Sequence, residues 1–151
     1  MIGTEEASLL ESGGSITVGT VDADGVPDAA RGWLLRVAPD GLHVRCLVPD
    51  HERGLLDDLT TVGRIALNWV HVHTMESIQV KGRVTAVEAP TEADLAASDE
   101  YREAFFAMLQ QSDGTPRHLL DRLVPDGYVA VEVDVEELYD QTPGPNAGER
   151  R

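Results

Sequence analysis

SITVGTVDADGVPDAARGWLLRVAPDGLHVRCLV, residues 15–48, decides the fold. Apolar and polar residues alternate through 15–22, 29–37 and 42–48, the period of half-buried strands. Between them lie two turn signals, ADGVP (23–27) with its Asp24-Gly25 pair, and APDG (38–41). Loops this short cannot carry a parallel crossover, so the three segments predict an antiparallel meander.

Outward from this stretch the same reading continues. Pro49 breaks the ladder, and HERGLLDDLTTVG (51–63) predicts a short helix that Gly63 stops, with Leu55, Leu56 and Leu59 inward. Strands are expected over 64–71 and 76–87. In the second, Ile78, Val80, Gly82 and Val84 share one face and Gln79, Lys81 and Arg83 the other. Thr91 to Leu123 reads as an acidic helical portion with Thr91 and Ser98 as caps. Tyr101, Phe105, Met108 and Leu109 recur there at helical spacing and read as core. Asp126-Gly127 turns into a last strand, 128–135, and residues 141–151 form an irregular Pro/Gly-rich tail. Upstream, Thr4 caps a short N-terminal helix. The expectation is one domain over 1–151: a mainly β, six-stranded antiparallel barrel with a few helices. A barrel this small has a packed interior, so a ligand would lie outside it, in a crevice or between subunits.

The chain has 151 residues, 42% of them hydrophobic, and a single cysteine, Cys46, so no internal disulfide framework is available. No apolar run is long enough to span a membrane and no secretory signal opens the chain, which places the protein in the cytoplasm. A formal net charge of −15 argues against nucleic acid and anionic lipid as partners. That charge is unevenly spread. Residues 31–83 carry seven of the 12 bases and only six of the 27 acids. Cations are thus kept in one stretch, which reads either as ordinary strand-surface arginines or as the site of a small anionic ligand.

Motifs for hydrolase, P-loop, dinucleotide and metalloprotease chemistry are absent. Cys46, mid-strand among apolar neighbours, reads as an inert buried thiol. Arg31 follows a turn with Gly32 beside it, and a strand glycine marks close approach of a ligand or another backbone. Arg53 opens the helix after the third strand, where free N–H groups and the dipole favour an anion and a guanidinium adds a bidentate fork for phosphate; its other reading is a solvated helix residue paired with Glu52 or Asp57. His71 and His73 form an HVH pair with no third ligand, so no metal site is assigned.

The ordered set AARGWLLR, PDHERG-LL, GRIALNW and ESIQVKGRV resembles the pyridoxamine 5′-phosphate oxidase-like split barrels, which bind FMN. The likeness covers roughly residues 15–87, and DQTPGPNAG (140–148) resembles the C-terminal segment of some members. The resemblance implies a two-fold dimer with the cofactor in the groove between subunits, acting on a small-molecule substrate. It implies that Arg31 and Arg53 meet the flavin phosphate, with His51 where a serine commonly helps. Gly32, Trp33, Leu34, Leu47 and Val48 would run past the flavin, Ser77 stands at the place of a flavin-contacting glutamine, and Lys81 follows it. His71 and Tyr128 are candidates for proton handling. Trp33 and Trp69 suit either the flavin edge or the core. The oxidase's own substrate-binding pattern has no counterpart in 129–148. The reading is therefore an FMN-dependent oxidoreductase of this family. Its alternative is a non-catalytic carrier or sensor binding a flavin, deazaflavin or haem.

Overall fold

A computed structural model describes residues 1–151. Seven strands form one antiparallel sheet: β1 (Ser15–Val21), β2 (Pro27–Gly32), β3 (Leu34–Val37), β4 (His43–Pro49), β5 (Arg64–Val70), β6 (Ser77–Glu88) and β7 (Tyr128–Asp140). Four α-helices accompany them: α1 (Thr4–Leu10), α2 (Arg53–Thr61), α3 (Glu92–Asp113) and α4 (Arg117–Leu120).

The strand order is β2-β1-β5-β6-β7-β4-β3. Its two edge strands are consecutive in the chain, joined through Trp33, so the sheet curls until its ends meet there. This makes a split barrel with seven strands rather than the six expected. The expected strand over 29–37 is broken at Trp33, whose N–H leaves the β1 side and donates to the carbonyl of Leu47 on β4 (2.9 Å). The meander is accordingly two hairpins, β1–β2 and β3–β4, on opposite edges of the sheet. The bend follows directly on Gly32, which packs against the core. A Cβ there would come within 2.5 Å of Ile16 Cγ2, so its hydrogen makes room for the core. The last strand runs on to Asp140, pairing along β6 past two register shifts, at Lys81/Gly82 and Val84/Ala86.

The interior is a single apolar cluster that includes Ile16, Val18, Leu67, Trp69, Ile78, Val80 and Val131, all essentially inaccessible. At about 25 cal/mol per Å² this burial is the main term holding the barrel closed. Helix α2 packs its Leu55 and Leu59 against one end. Helix α3 begins at the expected cap, Thr91, which forms a capping box: Thr91 Oγ1 accepts from the Asp94 N–H (3.1 Å) and Asp94 returns the bond to the Thr91 N–H (2.8 Å). Ser98 is no cap. It lies inside α3, and its hydroxyl donates to the Trp33 carbonyl (2.9 Å), tying the helix to the bend. Gly3 rather than Thr4 precedes α1 as its cap. The tail beyond Asp140 is irregular except for a bridge between Tyr139 and Arg150. No helix is long and apolar enough to cross a membrane.

Candidate functional site

Because the strands alternate, β1, β5, β6 and β7 turn every second residue outward, and the register aligns those residues across the sheet. Arg31 pairs with Thr17, Thr17 with Asn68, Asn68 with Gln79 and Gln79 with Tyr139. These five make one row on the outer face. At ~4.8 Å per strand, Arg31 and Gln79 stand roughly 14 Å apart along it. The row beside it is Ala29, Gly19, Ala66, Lys81 and Glu137. Its first three members are small, which leaves a trough. A cavity of about 340 Å³ includes Gly19, Ala66 and Lys81, and one of about 350 Å³ includes Asn68, Gln79 and Gln141.

Arg31 closes one end of the row and is exposed. Its guanidinium lies over the ring of Phe105 on α3, 5.5 Å from the centroid, and its one hydrogen bond is a long donation to Ser15 Oγ (3.4 Å). Desolvation lowers its pKa from the ordinary arginine value, the sign for a cation partly stripped of water without a counter-ion. Arg45, Arg64, Arg83, Arg102, Arg117 and Arg151 all hold carboxylates. Arg31 holds none, and neither do Arg36, Arg53, Arg122 and Arg150; of these, Arg31 is the one that stands on the outer-face row.

Arg53 is the first residue of α2 and is also exposed. Its neighbour Glu52 turns instead to His51 (3.5 Å). The helix start approaches β2 at Asp28: a Cβ on Gly54 would lie 3.5 Å from Asp28 Oδ2. Asp28 precedes Arg31 by three residues and points to the opposite side of the strand. Arg31 and Arg53 therefore flank β2 without sharing a hydrogen-bond partner.

The other candidates fall into distinct settings. Trp33, Leu34, Leu47 and Val48 are buried at 3% exposure or less, and Trp33 packs edge-on against Phe106 and Tyr128. With Gly32 filled by Ile16, this group has only backbone to offer a ligand. Trp69 is likewise core. Ser77 Oγ donates to the Trp69 carbonyl (3.0 Å) at the margin of the Asn68–Gln79 cavity. Lys81 reaches over the Tyr139 ring (4.9 Å), and the Tyr139 hydroxyl donates to Glu137.

His71 lies just past β5, in a turn. Its Nδ1 accepts the N–H groups of His73 (3.3 Å) and Thr74 (3.2 Å). Tyr128 has a sealed hydroxyl with no hydrogen-bond partner, and burial raises its pKa. His71 lies at the Ser77 end of β6 and Tyr128 near its Glu88 end, so they are not a pair. Cys46 is fully buried, which pushes its thiol up to about 12.

Thr17 and Asn68 are candidate site residues that reading the sequence missed. An asparagine in the middle of RIALNWV is a poor strand former, and that misfit was the available signal.

The chemistry of this donor set fits a flavin mononucleotide. An uncompensated guanidinium suits its phosphate, small residues leave room for a chain, and uncharged carboxamides suit the donor and acceptor edge of the ring.

The family model described as pyridoxamine 5′-phosphate oxidase matches residues 2–142. No curated protein sequence matches the chain. Among solved structures, HupZ of Group A Streptococcus aligns with a TM-score of 0.58 at 20% identity, covering 98% of this chain and 100% of its own. An FMN-binding protein from Syntrophomonas wolfei aligns with a TM-score of 0.55 at 14% identity, over 89% of this chain and 82% of that one. An F420 reductase gives 0.52 at 16%, over 87% and 93%. These likenesses show the fold, and the family model, matched from the first helix to the tail, shows that the chain belongs to the pyridoxamine 5′-phosphate oxidase family.

Proposed function

We propose that the protein is an FMN-dependent oxidoreductase acting on a small organic substrate, built as a homodimer with the cofactor in a groove on the outer sheet face. The observation that carries this reading is Arg31, an arginine without a carboxylate at the head of the uncharged row Thr17–Asn68–Gln79. Arg31 would take the phosphate, and Arg53, whose helix start meets β2 on the side opposite Arg31, would add positive charge around the edge of that strand. Asn68 and Gln79 would orient the ring through their amides, and Gly19 and Ala66 would leave space beside it. When bound, the flavin supplies the redox chemistry, while the protein binds it, orients it and limits the access of water. An apolar interior and an outward site agree with a second subunit completing the groove.

FMN titration of the purified protein, followed by flavin fluorescence, tests the assignment. Arg31→Ala and Arg53→Ala should each weaken binding by about 1.5–3 kcal/mol, the range for losing a charge-assisted hydrogen bond. Unchanged affinity in both variants would remove the basis of the reading.

A second reading, a flavin or deazaflavin carrier without turnover, is favoured by the two proton-handling candidates. His71 spends Nδ1 on its own turn, and the Tyr128 hydroxyl is sealed inside. The likeness to an F420 reductase brings the deazaflavin into the same groove. Reducing the bound cofactor and adding a quinone separates the two: reoxidation that saturates with quinone supports the enzyme, and none supports the carrier.

A further inference from the structure

Two neighbouring phenylalanines of α3 each carry an arginine on their ring face. Arg117 lies over Phe106 (5.2 Å) and Arg31 over Phe105 (5.5 Å). The first cation is fully spent: Arg117 donates to both carboxylate oxygens of Glu103 (2.8 and 2.6 Å) and to Asp121 (2.7 Å). The second has the same kind of seat and no carboxylate. The helix is rich in acids, with Glu92, Asp94, Asp99, Glu100 and Glu103 along it, yet the residue it presents to Arg31 is an uncharged ring.

A carboxylate in that place would neutralise Arg31 and compete with any incoming anion. An aromatic face instead attracts the guanidinium while leaving its N–H fork free for bidentate donation. The ring is itself well held. Phe105 is 5% exposed, and α3 is fixed by the Ser98 bond to Trp33 and by the Tyr101 hydroxyl, which accepts the Gly14 N–H (3.0 Å).

We infer that Phe105 is a positioning residue for anion binding: it aims the Arg31 guanidinium at a phosphate without discharging it, so a helix outside the sheet sets the affinity of the outer-face site for phosphorylated ligands. This rests on the reading of Arg31 as the phosphate-binding residue.

The test compares FMN with riboflavin, the same ring and chain without the phosphate, as fluorescence titrations on the protein as purified. Phe105→Leu and Phe105→Met remove the π face and keep apolar bulk. Each should weaken FMN about two- to fivefold, the size of one exposed cation–π contact, and leave riboflavin affinity unchanged. Phe105→Trp keeps the face and should retain wild-type selectivity for the phosphate. If Phe105→Leu folds poorly, the Met and Trp pair decides. FMN selectivity unchanged in the Leu and Met variants while Arg31→Ala loses it would overturn the role of Phe105 and leave the proposed function standing. An equal loss of both ligands would reduce Phe105 to a structural residue. An Arg31→Ala variant that still prefers FMN over riboflavin as the wild type does would overturn the underlying reading, and this inference with it.

Discussion

Gly32 answers a packing demand: the Ile16 side chain occupies the space a Cβ would fill, just where the chain leaves one edge of the sheet for the other. Gly32→Ala should therefore destabilise the protein by about 1–3 kcal/mol, the usual cost of overpacking a core. In an Ile16→Ala background the same change should cost less, as read by urea unfolding, because the atom in its way is Ile16 Cγ2. The sequence makes this glycine conspicuous but points to a ligand or another backbone, since a side chain filling the gap leaves the same local signature. Asn68 shows the opposite case. Its amide has a weak contact with Ser77 Oγ (3.4 Å) and otherwise faces the cavity shared with Gln79. Asn68→Leu is expected to leave the melting temperature within a few degrees of wild type, since outward surface changes are usually within about 0.5 kcal/mol. The same change should weaken flavin binding roughly tenfold, because one ring-edge partner is gone.

Helix α3 is attached to the barrel by an ion-pair network at its first turn. Arg45 on β4 donates Nε to Asp94 Oδ1 (2.9 Å) and Nη2 to Asp94 Oδ2 (2.7 Å), and its Nη1 serves Glu88 and Glu132. Burial by itself would push the Asp94 carboxyl up, but hydrogen bonds from Arg45 and from Thr91 outweigh it and hold it at about 2. The folded pKa thus lies below the unfolded value near 3.9, so the contribution is complete above about pH 4 and lost as pH falls through about 2. Wild-type stability should decline over that window by about 2 kcal/mol more than that of Asp94→Asn, which has no such proton to take up. Urea midpoints measured between pH 2 and 6 check this. Asp94→Ala at neutral pH should cost about 3 kcal/mol, because Arg45, 16% exposed, loses a bidentate partner. The Thr91 end of the capping box was legible, since that residue stands just before the apolar-periodic run. Arg45 as its partner was not, because 49 residues separate it from Asp94 and only the strand pairing brings them together. The break at Trp33 escaped notice for a related reason. Trp33, Leu34 and Leu35 are all buried, a run that departs from alternation, yet it is too short to distinguish a bend from a strand covered on both faces.

At the scale of the whole molecule, closure of the barrel determines where anything can bind. The seven strands enclose side chains alone, so the outer face of β1, β5 and β6 is where small residues, amides and an unspent arginine coincide. The residue types on that face were readable from the chain, but their order across it was not, because register is fixed by the packing of the inward set rather than by any local pattern. The face also carries its own charge balance: Arg64 and Arg83 both bind Glu136 (2.7 Å each), and Lys81 stands beside Glu137. Such a surface can meet a copy of itself without like charges opposing one another. The proposed dimer uses it. Ala66→Arg, at the centre of the small-residue row, would place a long cation where the partner must approach, and its half-exposed backbone position is unstrained in a monomer. Sedimentation velocity should then show the wild type at about twice the chain mass of 16.4 kDa and the variant at the chain mass. The melting temperature, corrected for the concentration dependence that a dimer brings, should be little changed. If FMN affinity falls along with the dimer, the partner completes the groove. If the variant remains a dimer, the subunits meet elsewhere and the site belongs to one chain.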